Sequence, residues 1–195
     1  MKGALDVHRD LLAQDVPHEV VRLPGRLLNA DDLPRLLQLE RGCVAVRCYV
    51  VERATGTSFA AVVVAAGAVP APALLLTALD ARSVRAARPE QVNAATDYAA
   101  GLVCPAGLPP EVEVLLDTAL EQDPTCYCAL GEGGVALGIR TSDLLEVTGA
   151  KRVPLTTAAP PRVIDLDPAT DVRRAAGTVR APSHLRGTVR PPDVL

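Results

Sequence analysis

Two apolar segments in the middle of the chain constrain its fold most. Residues 43–52 and 58–66 consist mainly of Val, Ala and other small side chains, and residues 53–57 between them include Gly56. β-Branched residues fit the pleated surface of a sheet, and a short polar connection with a glycine is typical of a hairpin. The sequence therefore predicts a β-hairpin formed by two long strands.

Helices and strands are predicted around this hairpin without a repeating βα unit. Asn29 and Asp31 are suited to cap the second helix, whereas Asp143 and Glu146 have the spacing of a capping box at the start of the last. An irregular order of elements favours an α+β (mixed α/β) domain with a largely antiparallel mixed sheet flanked by helices. The predicted helices are 4–14, 33–39, 72–79, 90–98 and one from 142, and the further strands are 18–23, 83–87, 111–117, 125–130, 135–140 and 151–155.

Composition excludes several classes of protein. A net charge of −3 argues against a protein that coats nucleic acid, although it leaves room for a small basic patch. The five cysteines are odd in number, contain no C-x-x-C pair and accompany only three histidines, so we expect no metal and no other cofactor. The sequence shows no signal peptide and no uninterrupted apolar run of membrane-spanning length. We therefore expect a cytoplasmic protein with reduced cysteines.

The character of the chain changes at residue 156. The remaining 40 residues hold six prolines and six arginines, and the hexamer 177–182 nearly repeats at 187–192. We predict a folded domain over 1–155 and a Pro- and Arg-rich tail over 156–195. Two interpretations of the tail are open: an arginine-bearing arm that contacts RNA, or a solvated extension.

Two loops carry the features most typical of a site. Gly101 and Pro105 form a G-x-x-x-P pattern in a loop that follows a predicted helix, and Gly131, Gly133 and Gly134 form a glycine-rich turn between two strands. Glycine lets a backbone N–H approach a ligand closely, and proline stiffens the loop. Each pattern alone is also typical of an ordinary loop or hairpin turn.

The order of these segments resembles the YbaK/prolyl-tRNA-synthetase-associated domain family. In that family a second helix leads into a strand with a lysine, a further helix precedes a G-x-x-x-P loop, and a glycine-rich hairpin precedes the final helix. The best local matches are 98–107 and 131–145. The resemblance implies a mixed sheet without a metal and an aminoacyl-tRNA deacylase, which hydrolyses the ester that joins a wrong amino acid to tRNA. It also implies the aminoacyl-tRNA 3′ end as partner, together with an aminoacyl-tRNA synthetase as a further candidate.

The chain departs from the family at the lysine, because Arg47 stands in the corresponding place. Arginine keeps the charge and can bind a phosphate or a hydroxyl, but it is a poor general base. Three functions remain open: a deacylase in which Arg47 positions the substrate, a catalytically silent module that binds aminoacyl-tRNA or a nucleotide, and a regulator that only uses the fold.

The resemblance assigns roles to seven residues. Arg47 and Gly101 are the candidate catalytic residues, and a site of this kind needs only an oriented water and donors for the developing oxyanion. We expect Arg47, Gly101, Pro105 and Gly133 to line one cavity. A nucleophilic Cys104 would need a neighbour that lowers its pKa, and no histidine is near it in sequence, so a small loop residue is the default. The candidate substrate-binding residues are Pro105, Cys104, Gly133, Gly134 and Asp143.

Overall fold

The computed structural model describes residues 1–156, and these form two β-sheets with five short α-helices. The predicted tail lies outside the described residues except for Thr156, so its extent stays a prediction. The helices are α1 (Ala4–Ala13), α2 (Leu33–Leu37), α3 (Pro72–Ala78), α4 (Pro89–Thr96) and α5 (Thr141–Thr148). The strands are β1 (His18–Arg22), β2 (Val44–Arg53), β3 (Gly56–Ala65), β4 (Ser83–Ala86), β5 (Val112–Asp117), β6 (Thr125–Ala129), β7 (Val135–Arg140) and β8 (Lys151–Val153).

The larger sheet has the strand order β4-β2-β3-β5-β8 and is built around the predicted hairpin. The register of β2 and β3 places Arg47 opposite Val62 and continues to Arg53 opposite Gly56. The prediction of a five-residue loop over 53–57 was wrong, because the strands extend to a two-residue turn at Ala54 and Thr55. Gly56 has a φ of +135°, which glycine adopts readily.

The smaller sheet has the order β1-β7-β6 and is antiparallel throughout. The N–H of Tyr127 in β6 donates to the Gly42 carbonyl at 2.7 Å, just before β2 begins. In the larger sheet β5 runs parallel to both β3 and β8, whereas the remaining pairs are antiparallel. The predicted α+β class with a mixed, mainly antiparallel sheet is confirmed.

The core is assembled from small aliphatic side chains and five buried cysteine thiols. Tyr98 is the largest fully buried side chain, and its hydroxyl donates to the Ala106 carbonyl at 2.8 Å. This bond satisfies the polar end of the ring and holds the loop after α4 against the core. Within residues 1–156, no helix combines the length and apolar character that crossing a membrane requires.

The last helix begins earlier than its sequence predicts. α5 starts at Thr141 and follows Arg140 without a side-chain cap, so the predicted capping box of Asp143 and Glu146 is wrong. Asp143 instead lies in the first turn, where its carboxylate accepts a hydrogen bond from the Ser142 hydroxyl at 3.2 Å. A carboxylate there still complements the positive end of the helix dipole.

Asp117 fixes the end of the described chain to the larger sheet. Its buried carboxylate accepts hydrogen bonds from the N–H groups of Ala119, Leu155 and Thr156, and from the Thr156 hydroxyl. Leu155 is itself fully buried. These contacts place residues 155 and 156 in the folded domain.

We therefore expect deletion of residues 160–195 to leave a folded domain with a cooperative thermal transition. As the matched control, a chain that ends at Val153 should lose about 3 kcal/mol or more, because it removes the Leu155 side chain and most partners of the Asp117 carboxylate. Thermal and urea unfolding of both truncations measures the difference. Loss of cooperative unfolding in the chain that lacks only residues 160–195 would contradict the predicted domain boundary.

Candidate functional site

Arg47 lies on β2 and forms a bidentate ion pair with Asp31. Its Nη1 is 2.8 Å from Asp31 Oδ2, and its Nη2 is 2.5 Å from Asp31 Oδ1. The two side chains are 22% and 32% exposed, so the pair is only partly shielded from water. An arginine within an apolar strand needs such a carboxylate partner, because burial of an unpaired charge is costly.

The same ion pair holds the turn that follows β3. The Ala68 carbonyl accepts from Arg47 Nε at 3.3 Å and Nη2 at 3.2 Å, while Asp31 Oδ1 accepts from the Gly67 N–H at 2.7 Å. Four of the five guanidinium N–H groups therefore have partners. The remaining N–H, on Nη1, has no partner within residues 1–156.

Asp31 is positioned by the segment that precedes α2. The Asn29 side chain accepts a hydrogen bond from the Asp31 N–H at 3.1 Å, as a capping residue does. The adjacent Ala30 N–H donates to the Gly101 carbonyl at 2.9 Å. Ala30, which binds the G-x-x-x-P loop, is thus the residue directly before Asp31 in the chain.

Gly101 has a φ of +85°, and a Cβ atom there would lie 2.9 Å from the Leu28 carbonyl oxygen. Both the conformation and the close approach require glycine. The Gly101 N–H has no hydrogen-bond partner in the described part of the chain and is only partly buried. It is therefore a candidate backbone donor.

The glycine-rich turn contacts the same segment from the other side. The Leu27 N–H donates to the Gly133 carbonyl at 2.7 Å, and a Cβ on Gly133 would lie 2.6 Å from the Leu27 carbonyl oxygen. The Leu23 N–H donates to the Gly134 carbonyl at 3.0 Å. The segment 23–31 thus contacts the glycine-rich turn and the Gly101 loop and also carries Asp31.

Three predicted site residues lie elsewhere. Cys104 is fully buried in the core and offers no exposed side-chain atom, and Pro105 lines a separate cavity of about 500 Å³ that none of Arg47, Gly101 and Gly133 reaches. Asp143 is in α5, where its Oδ2 is buried and has no partner within residues 1–156. Backbone contacts thus link the Gly101 loop and the Gly133–Gly134 turn to the segment that carries Asp31, and the roles of all seven residues stay predictions.

Four of the five thiols are held in their neutral form. Burial raises the pKa of Cys43 to about 11 and that of Cys48 to about 12. Burial also raises the pKa of Cys126, while a hydrogen bond with the Cys104 side chain and burial raise that of Cys128. A neutral thiol is a weak nucleophile and a weak metal ligand. Within residues 1–156, no group of three or more His, Cys, Asp or Glu side chains is arranged to hold a metal ion.

Asp31 was predicted only as a helix cap, and its role as the ion-pair partner of Arg47 was missed. The signal was Arg47 itself, since a charged residue in an apolar strand predicts a nearby carboxylate. Burial acts to raise the pKa of Asp31, but hydrogen bonds from Arg47 and Gly67 and the charge of Arg47 outweigh it. The pKa therefore lies below its ordinary value of 3.8.

The lowered pKa of Asp31 predicts how the contribution of Asp31 to stability depends on pH. A carboxyl whose pKa is lowered by folding stabilises the protein above the unfolded pKa, and the contribution is lost as pH falls through the folded value. In urea unfolding, we expect the free-energy difference between wild type and Asp31→Asn to be constant above about pH 5 and to shrink below about pH 4.

The exposed Glu40 provides the matched control, because Glu40→Gln removes a carboxylate from the same region without a described partner. Its free-energy difference from wild type should stay small at every pH. If the difference in unfolding free energy between wild type and Asp31→Asn is the same at about pH 3 and about pH 7, the ion pair does not stabilise the fold.

The family is shown by comparison with known proteins. The model of the aminoacyl-tRNA editing domain matches residues 30–147, a range that includes Asp31, Arg47, Gly101 and Gly133. The chain belongs to the aminoacyl-tRNA editing domain family, as the resemblance to YbaK-type domains predicted. Members of this family act in aminoacyl-tRNA editing. Comparison with curated proteins gives no match.

Solved structures show the same fold at low sequence identity. The hypothetical protein APE2540 is 22% identical, with a TM-score of 0.68 over 77% of this chain and 99% of its own. A protein proposed as a trans-editing enzyme for prolyl tRNA synthetase is 21% identical, with a TM-score of 0.66 over 81% of this chain and 99% of its own. These similarities establish the fold. The chemistry has to be inferred from the residues of the site.

Proposed function

We propose that this domain is a trans-editing deacylase that hydrolyses the ester between a wrongly attached amino acid and the 3′-terminal ribose of tRNA. The observation that carries the proposal is the unpaired N–H of Gly101, a residue whose carbonyl accepts from the Ala30 N–H next to Asp31, the partner of Arg47. Family membership supports the substrate class. An aminoacyl ester is already activated, so orientation and oxyanion donors supply much of the required catalysis.

The reaction adds water to the ester carbonyl. Negative charge develops on the carbonyl oxygen, and the Gly101 N–H donates to it. The ester C–O bond then breaks, and the proton from water reaches the departing ribose oxygen through the neighbouring ribose hydroxyl. The products are the free amino acid and a tRNA with both terminal hydroxyls restored. Arg47 positions the substrate through its remaining N–H and is not asked to accept a proton.

A second function is favoured by the way in which Arg47 is bound. Four of its five N–H groups bind Asp31 and Ala68, so the residue also has a structural role. A domain with this arrangement could bind the aminoacyl end of tRNA without hydrolysing it. In that case the domain would bind its substrate, and the chemical step would be absent.

The vicinal ribose hydroxyl tests the proposed proton route. We expect the full chain to release the amino acid from a mischarged tRNA, and to do so at least about a hundredfold more slowly when the terminal adenosine lacks the neighbouring hydroxyl. Equal rates on both substrates would show that the proton takes another route. Binding of both without release from either would favour the silent module over the deacylase. The proposed reaction is cytosolic, where mischarged tRNA is formed.

A further inference from the structure

Three exposed side chains follow one another along the segment that joins the two glycine loops. Arg22, Arg26 and Leu28 are all exposed, and we refer to them as the arginine strip. Leu23 and Leu27 between them are buried, so successive side chains alternate between the core and the surface. The N–H groups of Leu23 and Leu27 also bind the glycine-rich turn. The strip is therefore held in place by its neighbours.

The charges of the strip are not neutralised within residues 1–156. Neither Arg22 nor Arg26 has a described carboxylate or hydrogen-bond partner, whereas Arg47 and Arg53 both have ion pairs. The carboxylate of Glu132, in the adjacent turn, is directed away because it accepts from the Ala4 N–H at 2.9 Å. Two guanidinium groups without a carboxylate partner make this edge locally positive in a protein of net charge −3, and such an edge can bind an anion.

The proposed function suggests the anion, and the position of the strip fits it. Arg26 lies against Gly133, whose Cβ position would be 3.3 Å from Arg26 Cγ, and the carbonyl of Leu28 lies against Gly101. Leu28 is 68% exposed and lies between the arginines and the Arg47–Asp31 pair along the chain. Phosphates bind guanidinium groups, and the flat face of a base packs on an exposed apolar side chain. This order of charge and apolar surface matches a single strand that enters the site by its 3′ end.

We propose that the arginine strip binds the single-stranded 3′ end of tRNA, with Arg22 and Arg26 on backbone phosphates and Leu28 against a base. The proposal rests on the proposed function for its orientation toward Gly101. The contacts to phosphate position the strand and carry no sequence information. The strip therefore serves any tRNA with that end, and discrimination between amino acids is left to the site itself.

Binding of unacylated RNA tests the strip without the chemical step. The probe is an RNA hairpin that ends in single-stranded CCA, compared with the same hairpin made blunt. For Arg22→Gln/Arg26→Gln in the full chain, we expect binding of the CCA hairpin to weaken by about tenfold or more at low salt. The slope of log affinity against log salt should become shallower by about 0.7 for each arginine removed. Leu28→Ala should weaken binding by roughly fivefold without changing that slope.

The control pair is Arg82→Gln/Arg85→Gln, which removes the same charge from exposed positions at the β4 edge. It should leave binding of the CCA hairpin close to wild type. The proposal is overturned if wild type does not prefer the CCA hairpin to the blunt one. It is also overturned if the strip variant binds as wild type does, or if the control pair causes an equal loss.

The results separate the strip from the proposed function. A wild type that prefers the CCA hairpin through the strip, but releases no amino acid from any mischarged tRNA, contradicts the deacylase and supports the strip. A wild type that hydrolyses mischarged tRNA with a KM unchanged in Arg22→Gln/Arg26→Gln supports the deacylase and contradicts the strip.

Discussion

Replacement of Gly101 by alanine is expected to lower the rate of deacylation by more than about a hundredfold. The new Cβ would lie 2.9 Å from the Leu28 carbonyl oxygen, so the loop must shift and move the Gly101 N–H away from the developing oxyanion. Loss of one oxyanion donor costs about 10² to 10³ in rate in other hydrolases. Single-turnover release of the amino acid from mischarged tRNA measures the effect.

Gly149→Ala is the matched control, because Gly149 also has a positive φ but has no atom within 4 Å of its Cβ position. It should lose about 1–2 kcal/mol of unfolding free energy from backbone strain and keep its activity. Comparison of the two variants distinguishes the effect of backbone strain from the effect of moving the Gly101 N–H. A Gly101→Ala protein that is folded and hydrolyses at the wild-type rate would remove Gly101 from the site.

Replacement of Arg47 by alanine is expected to lower kcat/KM by about ten- to hundredfold, the value of one or two charge-assisted hydrogen bonds. Arg47→Lys should retain or raise activity, because an ammonium group still binds Asp31 and a substrate oxygen. If the domain is instead a silent module, wild type has no activity and Arg47→Lys is the variant able to gain it. Deacylation kinetics of the two variants distinguish these outcomes.

Stability gives an independent measurement of the same ion pair. Asp31→Ala leaves the Arg47 guanidinium and the Gly67 N–H without their carboxylate, and Arg47→Ala leaves Asp31 without its cation. We expect each single variant to lose about 1.5–3 kcal/mol, and the double variant to lose less than the sum of the two. Strictly additive losses in urea unfolding would show that the two side chains are not coupled.

Much of the fold could be predicted from local patterns, because its strands are rich in β-branched residues and two of its five helices begin at prolines. Pro72 and Pro89 both stand at the first position of their helices, as predicted for residues with a fixed φ. Strand order could not be predicted in this way. The parallel pairing of β5 with β3 depends on contacts between distant segments, and local sequence carries little information about it.

The candidate site was predicted in part for a similar reason. Gly101 and Gly133 were recognisable because glycine marks close approaches of the backbone, and the structure places both against the segment 27–31. Cys104 and Pro105 were assigned through their motif, but Cys104 is fully buried in the core and Pro105 lines a cavity that does not include Arg47. Asp31 was missed because ion pairs join residues that are distant in sequence, and only the fold shows which carboxylate lies beside Arg47.

The proposed deacylase depends on Arg47 and Gly101, with Arg47 in the place where the family resemblance predicts a lysine. Its most direct test is to incubate the full wild-type chain, in excess, with a panel of mischarged tRNAs and to measure bound tRNA and released amino acid in the same samples. We expect the wild type to release the amino acid from at least one mischarged tRNA at a rate well above the rate without protein. We expect Gly101→Ala to lose that release. Binding across the panel with no release above the uncatalysed rate would contradict it.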